Sequence, residues 1–158
     1  MIYLDNAATS FPKPKCMLIE MERCLSEYCG NPGRSGHGLS IRSGQRVFET
    51  RNEIAKLFGV QDASRIIFTA NTTDALNMGI KGVVNPGDHV ITTAMEHNSV
   101  LRPLKALEPL GIRTGILNCD PQGMLDTASV ESAIMPNTRL IICTHASNVT
   151  GTGSELNR

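Results

Sequence analysis

The chain lacks an excess of either charge. Fifteen Lys and Arg balance fifteen Asp and Glu across 158 residues, so the formal net charge is zero. No basic patch stands out, which argues against a nucleic-acid partner. No apolar run approaches the ~20 residues that span a bilayer, so no membrane segment is expected. The opening MIYLDNAATSFPKPK has no basic stretch ahead of an apolar one, and a secretory leader is not expected. The five cysteines (Cys16, Cys24, Cys29, Cys119 and Cys143) form no CxxC pair. They read as reduced thiols of a cytoplasmic protein, inert where helical or strand patterns bury them. No His or Cys shows ligand spacing, so no metal site is expected. There is no P-loop, no strand leading directly into GxGxxG, no internal repeat and no low-complexity tract.

What is present is an alternation of short strands and helices. The hydrophobic fraction of 41% is that of a globular domain, and the length suffices for one core. Residues 1–13 read as extended. From Pro14, Leu18, Met21, Leu25 and Tyr28 repeat at helical spacing until Gly30. The glycine-rich loop GNPGRSGHG (30–38) follows, and on its own it reads as a flexible connection. A long helix is expected over 40–59, with Ile41, Gly44, Val47, Phe48, Ile54, Ala55 and Phe58 as its buried stripe. Further strands are expected over 89–94, 113–118 and 139–144. Helices are expected over 98–110 and 128–134, with Pro103 confined to early turns of the first. This order predicts an α/β fold with a mainly parallel sheet covered on both faces.

The segment RIIFTANTTDALNMG (65–79) carries the most information. Ile66, Ile67, Phe68 and Thr69 read as a buried strand. Thr72-Thr73-Asp74 then opens a helix. A helix start just beyond a strand end suits an anion, because free N–H groups and the positive dipole end lie there. Thr72 or Thr73 can equally be a simple N-cap. Similar polar clusters close two other strands: Met95-Glu96-His97-Asn98 and His145-Ala146-Ser147-Asn148. His97 alone reads as a helix-start histidine and Asn148 as a turn former. At one edge of a parallel sheet the three clusters together describe a ligand site.

These residues also resemble a known family. YLDNAAT (3–9), GRSGHGLS (33–40), RNEIAKLFG (51–59), FTANTTDALN (68–77), MEHNSVLRP (95–103) and SNVTGT (147–152) are similar to the N-terminal half of cysteine desulfurases. The branch resembled includes selenocysteine lyases, within the class V aminotransferases of pyridoxal-phosphate fold type I. The resemblance implies a partial three-layer α/β/α large domain, incomplete in this chain. Residues 1–13 would be an N-terminal extended segment, 14–152 the first part of the pyridoxal-phosphate-binding large domain, and 153–158 a divergent tail. It also implies roles. Thr72 and Thr73 match the phosphate-cup threonines, and His97 the imidazole that stacks on the cofactor ring. Asn148 matches the amide beside the cofactor's phenolic oxygen. His37 and Asn6-Ala7-Ala8 match positions near the substrate.

The implied activity is removal of sulfur or selenium from L-cysteine or L-selenocysteine, a small amino-acid substrate, giving L-alanine. It classes the parent as a transferase or lyase. It needs a Schiff-base lysine and a nucleophilic cysteine, which relatives carry downstream of SNVTGT. Lys13, Lys15, Lys56, Lys81 and Lys105 lack the family's Ser-x-His-Lys context. The tail GSELNR departs from the family pattern, as a frameshift, a gene-fragment boundary or a cloning junction would produce. A homodimer is implied for the complete protein. In this fold type the strand 66–69 does not neighbour the other three, so it would be left unpaired. The isolated chain is therefore expected to be unstable, rearranged or completed by a complementing C-terminal half. The competing readings are a non-catalytic phosphate-binding or complementing half-protein, and a nucleotide-binding domain disfavoured by the missing glycine motifs.

Overall fold

The computed structural model describes residues 2–34 and 36–153. It divides into two compact units, the first ending at Phe68 and the second beginning at Thr69.

The first unit is mostly helical. Residues 1–13 were expected to be extended, yet residues 5–9 form a turn. Ala8 N donates to the Asp5 carbonyl, and the Tyr3 hydroxyl donates to that of Thr9 at 2.8 Å. Helix α1 (Lys15–Arg23) starts after Pro14 and runs into a π-helical turn, Cys24–Tyr28. Helix α2 (Gly38–Leu57) begins at the cap residue His37, whose Nδ1 accepts from Ser40 N at 3.2 Å. Tyr28 anchors the junction. Its ring is buried and lies under the Arg46 guanidinium, 5.5 Å from the ring centroid. Its hydroxyl donates to Glu20 Oε1 at 2.5 Å. That bond pushes the Tyr28 phenol up to about 12 and holds the Glu20 carboxyl below its usual range. The Ser43 hydroxyl donates to the Tyr28 carbonyl and accepts from Gly30 N. Only glycine fits position 30, because a Cβ there would lie 2.9 Å from the Leu39 backbone.

Further expectations fail in this unit, wholly or in part. The expected stripe of α2 is buried only in part: Ala55 is buried and Gly44 and Ile54 are half-buried, but Ile41, Val47, Phe48 and Phe58 are exposed, Phe58 at 73%, and Ser40 and Ser43 are buried instead. The strand 66–69 is extended but unpaired, and Ile67 is 67% exposed. The physical reason is the same in both places. Apolar periodicity marks a face meant for burial, and these side chains stay largely uncovered, although the Arg51 guanidinium lies over the Phe68 ring, 5.5 Å from its centroid. The lack of pairing between 66–69 and the described strands accords with what the resemblance implies. Cys16 is likewise exposed rather than buried.

The second unit holds the sheet and the core. Strands β1 (His89–Thr93), β2 (Arg113–Leu117) and β3 (Thr138–Ile142) pair in the order β2-β1-β3, all parallel. Helices α3 (Thr72–Val83) and α4 (Asn98–Leu107) pack together, and a short α5 (Thr127–Ala133) meets β2. The turn 85–88 feeds β1: Asp88 accepts from Asn85 N at 2.7 Å, and Gly87 takes φ +93°. β1 is central and buried at every position. Its Val90 joins Ile80 and Val84 of the α3 segment, Val100, Leu104 and Leu107 of α4, and Ile112 in one core. Leu140 and Ile142 of β3 pack on the same cluster. Pro103 sits buried in the second turn of α4, as an early-turn proline can.

The other face of β1 carries His89. Its Nδ1 pairs with Thr138 Oγ1 at 2.9 Å, and its Nε2 lies over Gly115 of β2. A Cβ at Gly115 would come within 2.9 Å of that nitrogen. Gly115→Ala should therefore displace the ring and cost about 1–3 kcal/mol of stability in a urea melt, although alanine suits a strand better than glycine.

Candidate functional site

The site grows from two helix starts set side by side. The core seam packs α3 against α4, and both helices begin just after extended segments. Asn71, not a threonine, caps α3: its Oδ1 accepts from Asp74 N at 2.9 Å, and Ala75 N reaches the Asn71 carbonyl. Thr72 and Thr73 are thus the first two helical residues. Their N–H groups point out of the helix end with no partner in the helix, while the third and fourth are satisfied. Both side chains are exposed.

His97 caps α4. Its Nδ1 accepts from Ser99 N at 3.0 Å and lies 2.9 Å from the Ser99 hydroxyl. The Ser99 hydroxyl in turn lies 2.8 Å from Thr73 Oγ1. Thr73 and His97, both expected at the site, are thereby joined through one buried serine. With Nδ1 accepting, the neutral ring carries its proton on Nε2, the atom left free for a ligand. His97 is thus a helix cap, as its place in the sequence suggested, and it remains exposed.

An open cleft of about 460 Å³ extends from this junction along the two helices. Thr73, Asn77 and Lys81 line it from α3, and Asn98, Ser99, Arg102 and Ala106 from α4. No carboxylate lines it. Spacing of four along each helix places these residues on one face, a signal present in the sequence but easily read as a wet surface.

The other expected residues are placed as follows. Thr72 stands beside Thr73 at the helix start. Asn148 is exposed in the turn after β3, where Gly151 N donates to the Ser147 carbonyl, and it does not line the cleft. That turn is pinned by the Thr152 hydroxyl, which donates to the Gln122 carbonyl at 2.8 Å. Glu96 ties the two strand ends together, accepting from Thr144 N at 2.5 Å and from the Thr93 hydroxyl at 3.1 Å. Two of the three polar clusters therefore follow paired strands, while the third opens α3 after an unpaired segment and meets the α4 start through Thr73 and Ser99. Asn6, Ala7, Ala8 and His37 belong to the first unit and are exposed, His37 being the cap of α2. Among the described residues no group of His, Cys, Asp and Glu could hold a metal ion, and no helix is long and apolar enough to cross a membrane.

The class-V aminotransferase family model matches residues 2–158. The chain belongs to that family. It is 38% identical over 155 residues to the cysteine desulfurase IscS of Dictyoglomus turgidum, covering 96% of this chain and 39% of that one. It is 32% identical to a probable cysteine desulfurase of Methanothermobacter thermautotrophicus, covering 96% and 38%. Among solved structures, the apo cysteine desulfurase of Thermococcus onnurineus NA1 superposes with a TM-score of 0.88 at 32% identity, over 98% of this chain and 39% of that one. A NifS-like protein gives 0.88 at 29% identity, and SspA in complex with cysteine 0.86 at 31%, covering 43% and 45% of those chains. The chain thus spans about two fifths of the length of the curated relatives it matches. The class-V chain is α/β with a small parallel sheet, part of the fold its neighbours have.

Cys119 and Cys143 follow β2 and β3. Burial pushes both thiols up, and Glu96 adds to it in each; Asp120 adds further at Cys119. A raised thiol pKa lowers the thiolate fraction at any pH below it. Iodoacetamide at neutral pH should modify exposed Cys16 and Cys29 first and Cys143 last, with the Cys143 rate climbing as the pH rises; peptide mapping over time reads the order.

Proposed function

We propose that this chain is the cofactor-holding portion of a pyridoxal-phosphate-dependent cysteine desulfurase. The complete protein takes sulfur or selenium from L-cysteine or L-selenocysteine and leaves L-alanine. The single observation that carries this reading is the Thr73–Ser99–His97 cluster, at two adjacent helix starts, in a chain of this family.

The donor set fits the cofactor at two of its ends. A phosphate dianion suits the free N–H groups of Thr72 and Thr73, the positive end of α3 and their hydroxyls. A flat pyridine ring suits the exposed His97 imidazole as a stacking partner. Asn148, on the same sheet edge as His97, is the residue to meet the ring's phenolic oxygen. Bound pyridoxal phosphate supplies an electron sink for the substrate's α-carbon. This chain's residues bind and orient it. The attacking thiol and the Schiff-base lysine belong to the remainder of such a protein, since no lysine here has the family's context. Asn6, Ala7, Ala8 and His37 are assigned to the substrate end.

The exposed apolar faces of α1 and α2 support a further element of the reading. Leu18, Ile19, Met21, Leu25, Val47 and Phe48 form faces that a complementing polypeptide, equivalent to the rest of the relatives, would cover. The complete protein is assigned a homodimer and a cytoplasmic location, consistent with its reduced cysteines. Alone, the chain binds the cofactor without turnover.

Titrating the purified chain with pyridoxal phosphate and following its absorbance tests this. Saturable binding is expected, weakened about tenfold by Thr73→Val, the worth of one hydrogen bond to a charged group. Equal affinity in the variant would contradict the phosphate cup. Alanine formed from cysteine by the chain alone would contradict the absence of turnover.

A further inference from the structure

We propose that Ser99 is the positioning residue of this site, its one hydroxyl coupling the Thr73 side chain to the setting of the His97 ring. The proposal rests on the reading of Thr73 and His97 as cofactor contacts. Ser99 itself is 8% exposed and lies behind both residues, between the helix starts.

Counting hydrogens fixes the direction of this chain of contacts. His97 Nδ1 accepts from Ser99 N at 3.0 Å, so it carries no proton. The 2.9 Å contact from Nδ1 to Ser99 Oγ then requires the serine hydroxyl to donate. The 2.8 Å contact between Ser99 Oγ and Thr73 Oγ1 in turn requires the threonine to donate. One arrangement satisfies all three contacts: Thr73 to Ser99 to His97. The reverse arrangement would put a proton on Nδ1 facing the Ser99 N–H, two donors opposed.

The consequence concerns the ligand. With its proton turned toward Ser99, the Thr73 hydroxyl has only lone pairs for an incoming anion. A phosphate that takes a hydrogen bond from Thr73 leaves two lone pairs opposed at the 2.8 Å contact with Ser99, and reversing the chain of contacts relieves this. Ser99 then donates to Thr73 and leaves Nδ1 with the backbone N–H alone. Anion capture at α3 and ring setting at α4 therefore compete for the same serine proton. A serine at this place makes the two halves of the cup respond to each other, which an alanine of similar size could not do.

Nitrogen NMR of the histidine rings in the isotope-labelled 158-residue chain tests this directly, in the alkaline arm of the titration where the rings are neutral. Ser99→Ala keeps the backbone cap on His97 and removes only the hydroxyl. It should move the His97 Nδ1 resonance toward that of a free pyridine-type nitrogen. Ser99→Thr should restore the wild-type position. An unchanged Nδ1 resonance in Ser99→Ala, with the α4 amides in place, would overturn the proposal. Inorganic phosphate is then added. In the wild type the Thr73 amide and His97 Nδ1 should shift together; in Ser99→Ala the amide should shift without the ring. Joint movement persisting in Ser99→Ala would also overturn the coupling. A titration that moves no Thr72 or Thr73 amide would instead count against the phosphate cup, and the ligand-free ring comparison would then decide the role of Ser99.

Discussion

Everything at the site depends on the seam between α3 and α4 over β1. Val90 is wholly buried, and Leu104 is 1% exposed. Around them close Ile80, Val84, Val100, Leu107 and Ile112. Each such side chain contributes about 1.5–3 kcal/mol on burial. The packing is non-directional, but its result is directional. Two helices pressed on one face of a parallel sheet point their N-termini toward the same edge, the edge where strands end. The helix-start threonines and the capping histidine meet there because the apolar residues one to three turns further along leave them no other place.

His97 shows how a structural demand and a chemical one share a residue. Capping α4 takes Nδ1 and fixes the ring, and a fixed, exposed ring suits the stacking role proposed for it. Asn71 does the corresponding work at α3: by taking the cap, it leaves the Thr72 and Thr73 N–H groups at the open end of the helix, while the Thr73 hydroxyl pairs with Ser99. The division of labour is the reverse of the simplest reading of this segment, in which a threonine caps. A capping asparagine reaches the third N–H of the helix, and only the first two remain for a ligand.

The helices and three of the strands were legible because their periods are unambiguous: α3 begins at Thr72, and β1 falls on HVITT. The strand 66–69 was legible as β-prone sequence but not as a paired strand, since pairing depends on neighbours that a local pattern cannot supply. The same holds for Phe48 and Phe58, whose spacing marks an inward face without stating what covers it. The site was partly legible. Thr73 and His97 stood out by type and place, whereas Ser99 did not: a serine two residues after a histidine looks like any helix-start residue until α3 is packed alongside. Tyr28 was read only as one more apolar position, and its role as anchor depends on Glu20, Ser43 and Arg46 arriving from sequence positions up to eighteen residues away.

The seam is the central claim, and native-state hydrogen exchange tests it most directly. The amides of Val90, Ile91 and Thr92 should exchange slowest, and those of Ile80 and Leu104 should share their rate as one cooperative unit, ahead of which the segment up to Phe68 opens. If α3 or α4 exchanged independently of β1, or if β1 exchanged as fast as residues 66–69, the two helix starts would not be held together and the account of the site would be contradicted.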